Sequence, residues 1–331
     1  MARNGKDLAS AVDRISESDY AKAFQEKVVP FWEAGTTSFL EGQDGLRLHT
    51  WHRLHPDAKA QILISHGYAE NSLKYRELAF NFYQRGYSVF FWDHRGHGKS
   101  GRVGRARYSV DVIRFTDYSD DLLRIVDSMP LRKDIPQFIF AHSMGAAIAL
   151  DFMQKNPGFF QAAVLSSPML APRLQGLPVA LIIWLARSLA WLHAPDLCSV
   201  GSERIAAEFW SFRLAGTRSL ARFEHFKADT LAADLRLAGP TNRWVITAFE
   251  TAASLLEPER MVRLQLPLFV ATAGRDRLVR ADAIQEFCAR ATQCESHIYP
   301  ESFHEIWNER DAIRNAYLDD VLAFYQRREK T

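Results

Sequence analysis

The chain is poor in cysteine, with three in 331 residues, Cys198, Cys288 and Cys294. An odd and widely spaced set does not suggest a disulfide framework, so a reducing compartment is the simpler expectation. It lacks an excess of either charge: 41 Lys and Arg against 39 Asp and Glu leave a net charge of +2. No long basic run, zinc-ligand spacing or aromatic-basic motif appears, which sets nucleic-acid binding aside as a class. It also lacks an apolar run of the ~20 residues that a spanning helix needs. Leu177 to His193 comes nearest, but it is shorter and carries Arg187, so it reads as a buried or membrane-touching amphiphilic helix. Met1 to Glu17 mixes Arg3, Lys6, Asp7, Asp13, Arg14 and Glu17 with few apolar residues and has no secretory-signal core. Cytoplasmic residence is expected, with any peripheral membrane contact on the inner face.

The length suits one large α/β domain with an insertion. Residues 1–36 read as a helical lead-in, with Ser18 capping a helix from Asp19 to Val29 and Pro30 ending it. Thr37–Leu40 and Leu46–Trp51, separated around Asp44-Gly45, read as an antiparallel hairpin. Apolar strands at Gln61–Ser65, Ser88–Trp92, Ile135–Phe140 and Ala162–Ser166 then alternate with helical spacing at Ser72–Arg85, Thr116–Ser128 and Ala146–Gln154. That alternation is the signature of a parallel, doubly wound sheet. It stops at about Met169. Residues 169–247 turn helical and rich in tryptophan, and strand character returns at Leu266–Ala273, followed by a helix at Ala281–Ala291 and a strand at Glu295–Tyr299. The expectation is a core of residues 37–168 and 248–331 with an inserted helical lid at 169–247.

Phe140-Ala141-His142-Ser143-Met144-Gly145 joins an apolar strand to a helix and sets a serine between small residues. This is the anatomy of a nucleophile elbow, in which a strained turn exposes the serine Oγ and the following helix aims its N-terminus at the reaction centre. Close packing of strand and helix calls for glycine or alanine two residues to either side of the serine. Serine needs a base and a group to orient it. The strand Leu268–Thr272 runs into Gly274-Arg275-Asp276, and the last strand runs into Pro300-Glu301-Ser302-Phe303-His304. The order Ser143, Asp276, His304, each at a strand end, matches a triad on an α/β-hydrolase sheet. Ser65-His66-Gly67-Tyr68 supplies a His-Gly pair after the third strand, so the Tyr68 N–H is expected to join the Met144 N–H as oxyanion donor. His66 and His142 read as structural. Asp93-His94-Arg95-Gly96-His97-Gly98-Lys99-Ser100 lacks a second ligand cluster and the Walker lysine spacing, and reads as a tight loop packed beside the site.

Together His66-Gly67-Tyr68-Ala69-Glu70, the Asp93–Ser100 run, His142-Ser143-Met144-Gly145, Gly274-Arg275-Asp276 and His304-Glu305 resemble the α/β-hydrolase group that contains the monoacylglycerol lipases and bacterial lysophospholipase L2. The resemblance spans roughly residues 37–325. Tyr68-Ala69-Glu70-Asn71-Ser72 and His304-Glu305-Ile306-Trp307-Asn308-Glu309 look closest to the lysophospholipase L2 branch. Ala141, in place of the commoner glycine, and the lid are departures that leave the elbow intact and the substrate open. The resemblance implies hydrolysis of the ester of a single-chain lipid without a cofactor. It also implies that Glu70 meets the polar end of the substrate, a structural role for that glutamate being the other reading. Leu177, Leu181, Trp184 and Leu185 offer apolar area for an acyl chain, with Trp184 the candidate contact, and Arg173, Arg187, Arg204, Arg213, Arg218 and Arg222 offer charge for an anionic head group or membrane. Core packing and scattered solvated arginines are the plainer alternatives. A carboxylesterase or lipase of short esters would share the triad. A proline iminopeptidase would normally bring acidic lid residues, an epoxide hydrolase or dehalogenase would need aspartate at 143, and a non-catalytic module on this fold would be expected to lack a triad member.

Overall fold

A computed structural model describes residues 13–42, 44–104, 108–173, 179–192, 195–199 and 210–329. Leu177, Arg204 and the first twelve residues lie outside them. β3 (Ala60–Ser65), β4 (Tyr87–Trp92), β5 (Gln137–His142), β6 (Ala162–Ser166) and β7 (Leu268–Ala273) are buried at every position except Gln137. Such near-continuous apolar strands are what a parallel sheet covered on both faces requires. With β1 (Thr36–Glu41), β2 (Arg47–Arg53) and β8 (Cys294–Tyr299) they form one eight-stranded sheet in the order β1-β2-β4-β3-β5-β6-β7-β8. The pairs β1–β2 and β2–β4 are antiparallel and the rest are parallel.

The flanking helices are α1 (Arg76–Tyr83), α2 (Thr116–Ser128) and α3 (Met144–Lys155); then α4 (Val179–Trp191), α5 (Leu220–Ala232) and α6 (Asn242–Ser254), inserted between β6 and β7; and finally α7 (Ala281–Arg290) and α8 (Asp311–Gln326). Strand side chains alternate between faces. Leu63, Ile139 and Val270 enter a core with α2, α3 and α7, while Ile62, Ile64 and Phe140 enter a second core with α1 and α8. From β3 the chain passes to β4 on one side and then crosses to β5 on the other. Open α/β sheets bind ligands outside the carboxyl ends of the strands at such a reversal. Here that crevice lies between the residues after Ser65 and those after His142.

Several expectations are corrected. Pro30 does not end the N-terminal helix: helical turns capped by the Ser16 side chain run from Glu17 to Glu33, through a π turn at Phe24–Val28. The Val29 N–H reaches back to Phe24 O, so Pro30 falls at the start of a new segment, where its missing N–H costs nothing. The elbow strand and helix lie closer together than expected, since β5 continues to His142 and α3 begins at Met144. The helix α8 was not anticipated, because its buried positions mix Arg314 and Tyr317 with aliphatic residues and blur the apolar period. Cys288 and Cys294 are joined as a disulfide with Cα atoms 5.4 Å apart, which removes the cysteine argument for a reducing compartment. Among the described residues no helix is long and apolar enough to cross a membrane.

Candidate active site

Ser143 is the pivot between β5 and α3, with φ 52° and ψ −116°. A residue with a side chain holds such a positive φ only where its surroundings over-determine it, at about 1–3 kcal/mol. The Ser143 N–H donates to Ser166 O at 3.0 Å, and its carbonyl accepts from Ala146 N at 3.0 Å and Met169 N at 3.1 Å. Gly145 shows how closely α3 approaches β3, because a Cβ there would lie 2.4 Å from the carbonyl oxygens of both Ser65 and His66. Glycine or alanine was expected on either side of the serine. At 145 only glycine fits, whereas the Ala141 methyl is accommodated in the core. Gly145→Ala is therefore expected to push α3 off the end of β3, at a cost of about 1–3 kcal/mol. Thermal unfolding and kinetics should show a lowered Tm together with lowered turnover.

Asp276 follows β7 and His304 follows β8, so both stand at the same edge of the sheet as the elbow. The His304 Nδ1–H donates to Asp276 Oδ2 at 2.7 Å. Oδ1 of the same carboxylate accepts from Leu278 N at 2.8 Å and Val279 N at 3.1 Å. The His304 ring centroid lies 4.7 Å from that of His142, the residue before Ser143, and the His304 carbonyl accepts from Ser167 Oγ at 2.9 Å. Ser143, Asp276 and His304 are all buried. The sheet thus gathers the three residues named from sequence at the ends of β5, β7 and β8.

Across the crevice, the turn after β3 closes when Gly67 N–H donates to Glu70 Oε2 at 2.7 Å, with Ala69 at φ 56°. The Tyr68 phenol donates to Ala238 O at 3.3 Å, and its ring packs 4.7 Å from Trp244, so this turn is braced by the insertion. Met144 is the first residue of α3, where an N–H has no partner within the helix and the helix end carries partial positive charge. The Asp93 loop lies beneath: Asp93 accepts from Ser72 N at 2.8 Å and Lys99 N at 2.9 Å, and His94 N–H donates to His66 Nε2 at 2.9 Å. Glu70 is buried, with Lys74 Nζ at 2.6 Å on one oxygen and the Tyr75 hydroxyl on the other. Trp184, by contrast, is 62% exposed on α4. Among the described residues no cluster of His, Cys, Asp or Glu could hold a metal ion.

Over residues 56–311 the sequence matches the family described as serine aminopeptidase, S33. The chain belongs to this family of α/β-hydrolase serine enzymes. It is 29% identical to a probable lysophospholipase L2 of Haemophilus influenzae over 90% of this chain and 94% of that protein. It is 28% identical to a monoacylglycerol lipase of Mycolicibacterium smegmatis over 81% of this chain and 88% of that one. A soluble variant of monoglyceride lipase from Saccharomyces cerevisiae, solved with a substrate analog, shares the fold with a TM-score of 0.71 at 20% identity, over 89% and 95% of the two chains.

The electrostatics of this serine hydrolase follow from the same contacts. Burial alone would raise the Asp276 carboxyl, but the His304 ring and two backbone N–H groups outweigh it and hold the group below the ordinary carboxylate value. Burial would likewise lower His304, yet the Asp276 carboxylate first, then Glu305 and Glu70, raise it above the ordinary histidine value of 6.5. His142 is pushed by burial to about 3 and stays neutral. Sequence reading gave no role to Lys74 or to Glu305 on its own. A four-residue spacing from Glu70 to Lys74 was the only visible signal for the first.

Proposed function

We propose that this chain hydrolyses the carboxylic ester of a single-chain lipid through an acyl-enzyme on Ser143. The observation that carries the reading is a serine at φ 52° on a strand-to-helix turn, beside a histidine whose Nδ1–H is held 2.7 Å from a buried carboxylate. In this mechanism Ser143 Oγ attacks the ester carbonyl carbon while His304 Nε2 takes its proton. The Tyr68 and Met144 N–H groups receive the oxyanion. As the tetrahedral species collapses, the ester C–O bond breaks and His304 returns the proton to the departing alcohol. Water then gives a proton to His304 as it attacks the acyl carbon; the bond from that carbon to Ser143 Oγ breaks, His304 returns the proton to Oγ, and the fatty acid leaves. Residues 169–247 act as the lid over a core of residues 37–168 and 248–331, after the 1–36 lead-in. On α4, Trp184 and Trp191 are 62% and 80% exposed, apolar surface suited to peripheral contact with a lipid layer.

A phosphorylated head group is favoured by two arginines that share one aromatic ring beside the base. Arg218 stands 3.7 Å and Arg277 5.0 Å from the Phe303 centroid, directly before His304. Burial, and then the charge of Arg277, hold Arg218 below the ordinary arginine value, and an anion beside the pair would act in the opposite sense. The test is a matched panel of lysophosphatidyl lipids, monoacylglycerols of the same chain and short nitrophenyl esters. With Arg218 and Arg277 both changed to alanine, KM for the phosphorylated lipids should rise about tenfold, with neutral glycerides little affected. Equal losses on both classes would discard the head-group assignment. Preference of the unaltered enzyme for short esters would make it a carboxylesterase.

A further inference from the structure

Lys74 is the one buried lysine among the described residues. Its ammonium lies 2.6 Å from Glu70 Oε1 and 2.7 Å from Glu305 Oε1. The two carboxylates belong to two different loops, the turn after β3 and the loop after β8. Glu70 closes the turn after β3 by accepting the Gly67 N–H, while Glu305 follows His304 directly. Glu305 also accepts from Asn308 Nδ2 at 2.8 Å and donates its backbone N–H to Gly216 O at 2.7 Å, in the insertion between β6 and β7. Two buried carboxylates need a cation between them, and here one ammonium serves both.

The charged and titratable groups around His304 come from every neighbouring element. Asp276 faces it from the loop after β7, His142 from the end of β5, Glu70 with Lys74 from the segment leading into α1, and Glu305 from its own loop; Arg218 and Arg277 lie on the adjacent Phe303. We propose that Lys74 is the positioning residue of the His304 base, holding the turn after β3 and the His304 loop at a fixed separation and offsetting the charge of Glu70 and Glu305 at the imidazole. This rests on the reading of His304 as general base. Of the three carboxylates that favour protonated His304, Lys74 contacts two. The Glu70 carboxylate also stands 4.0 Å from His142 Nε2, so without the ammonium its negative charge acts unopposed on the imidazoles of this cluster.

A base must be neutral to accept the serine proton, so extra negative charge at His304 moves the acid limb of the rate profile to higher pH. The experiment follows kcat/KM on a soluble ester, and the rate of fluorophosphonate labelling, against pH. Lys74→Met should move the acid limb up by about one pH unit, Glu305→Gln should move it down by a similar amount, and the double variant should return it towards the starting value. Lys74→Arg should restore most of the profile. A uniform loss of rate with an unmoved limb would reduce Lys74 to a packing role. Should Lys74→Met fail to fold, the near-isosteric Glu305→Gln still has to shift the limb, and an unshifted limb there overturns the proposal. His304→Ala separates the two levels: full labelling in that variant removes the base assignment itself, whereas an essential His304 with unmoved limbs removes only the role of Lys74.

Discussion

Ser143→Ala should abolish turnover, by about six orders of magnitude in kcat, while leaving the fold intact. The size of the effect comes from the division of labour in the crevice. Without Oγ no acyl-enzyme forms, and the His304–Asp276 pair and the oxyanion donors have nothing to act on. What is left is the modest acceleration that bound substrate and backbone dipoles give to attack by water. The fold should survive because Ser143 is held by its backbone, through its N–H to Ser166 O and its carbonyl to Ala146 and Met169. The positive φ is retained in alanine at similar cost, so circular dichroism and Tm should change little. A variant that kept its ester turnover would mean that another residue carries the acyl group.

Asp276→Asn is the second large effect, about four orders of magnitude, and the hydrogen bonds explain its direction. Asp276 Oδ1 accepts two backbone N–H groups, from Leu278 and Val279, while Oδ2 faces His304 Nδ1. Asparagine keeps the backbone pair only if its carbonyl oxygen takes the Oδ1 place. Its amide NH2 is then turned towards Nδ1, which must become the acceptor. The proton moves to Nε2, and the nitrogen that should receive the serine proton already carries one. The packing is unchanged, so a crystal structure of the variant should superpose on the native one while steady-state kinetics fall. Full activity in Asp276→Asn would require another carboxylate to orient the base.

The strands were legible in the sequence because a sheet covered on both faces needs continuous apolar runs, and β3, β4 and β6 are such runs. The elbow was legible because the chemistry demands a serine at one kind of junction, though its helix begins two residues early. Met144-Gly145 reads locally as a turn, and only the carbonyls of Ser65 and His66 reveal why glycine stands there. Pro30 misled for a related reason: its effect depends on the π turn before it, and that turn leaves no mark in composition. The charge cluster of Glu70, Lys74 and Glu305 was only half visible, since its third member comes from more than two hundred positions away and joins through the sheet. Apolar bulk alone did not tell how exposed Trp184 would be, since that follows from the packing of α4 on α6. The Cys288–Cys294 pair escaped a reading by count, because pairing across one helix end and one strand start depends on where those ends meet.

The central claim is that Ser143 forms the covalent intermediate, and the most direct measurement is the site of reaction with a fluorophosphonate ester. Intact mass and peptide mapping should find one adduct per chain, on the peptide holding His142-Ser143-Met144, and none in Ser143→Ala. Native protein that takes up no adduct, or carries it on another residue, would contradict the account.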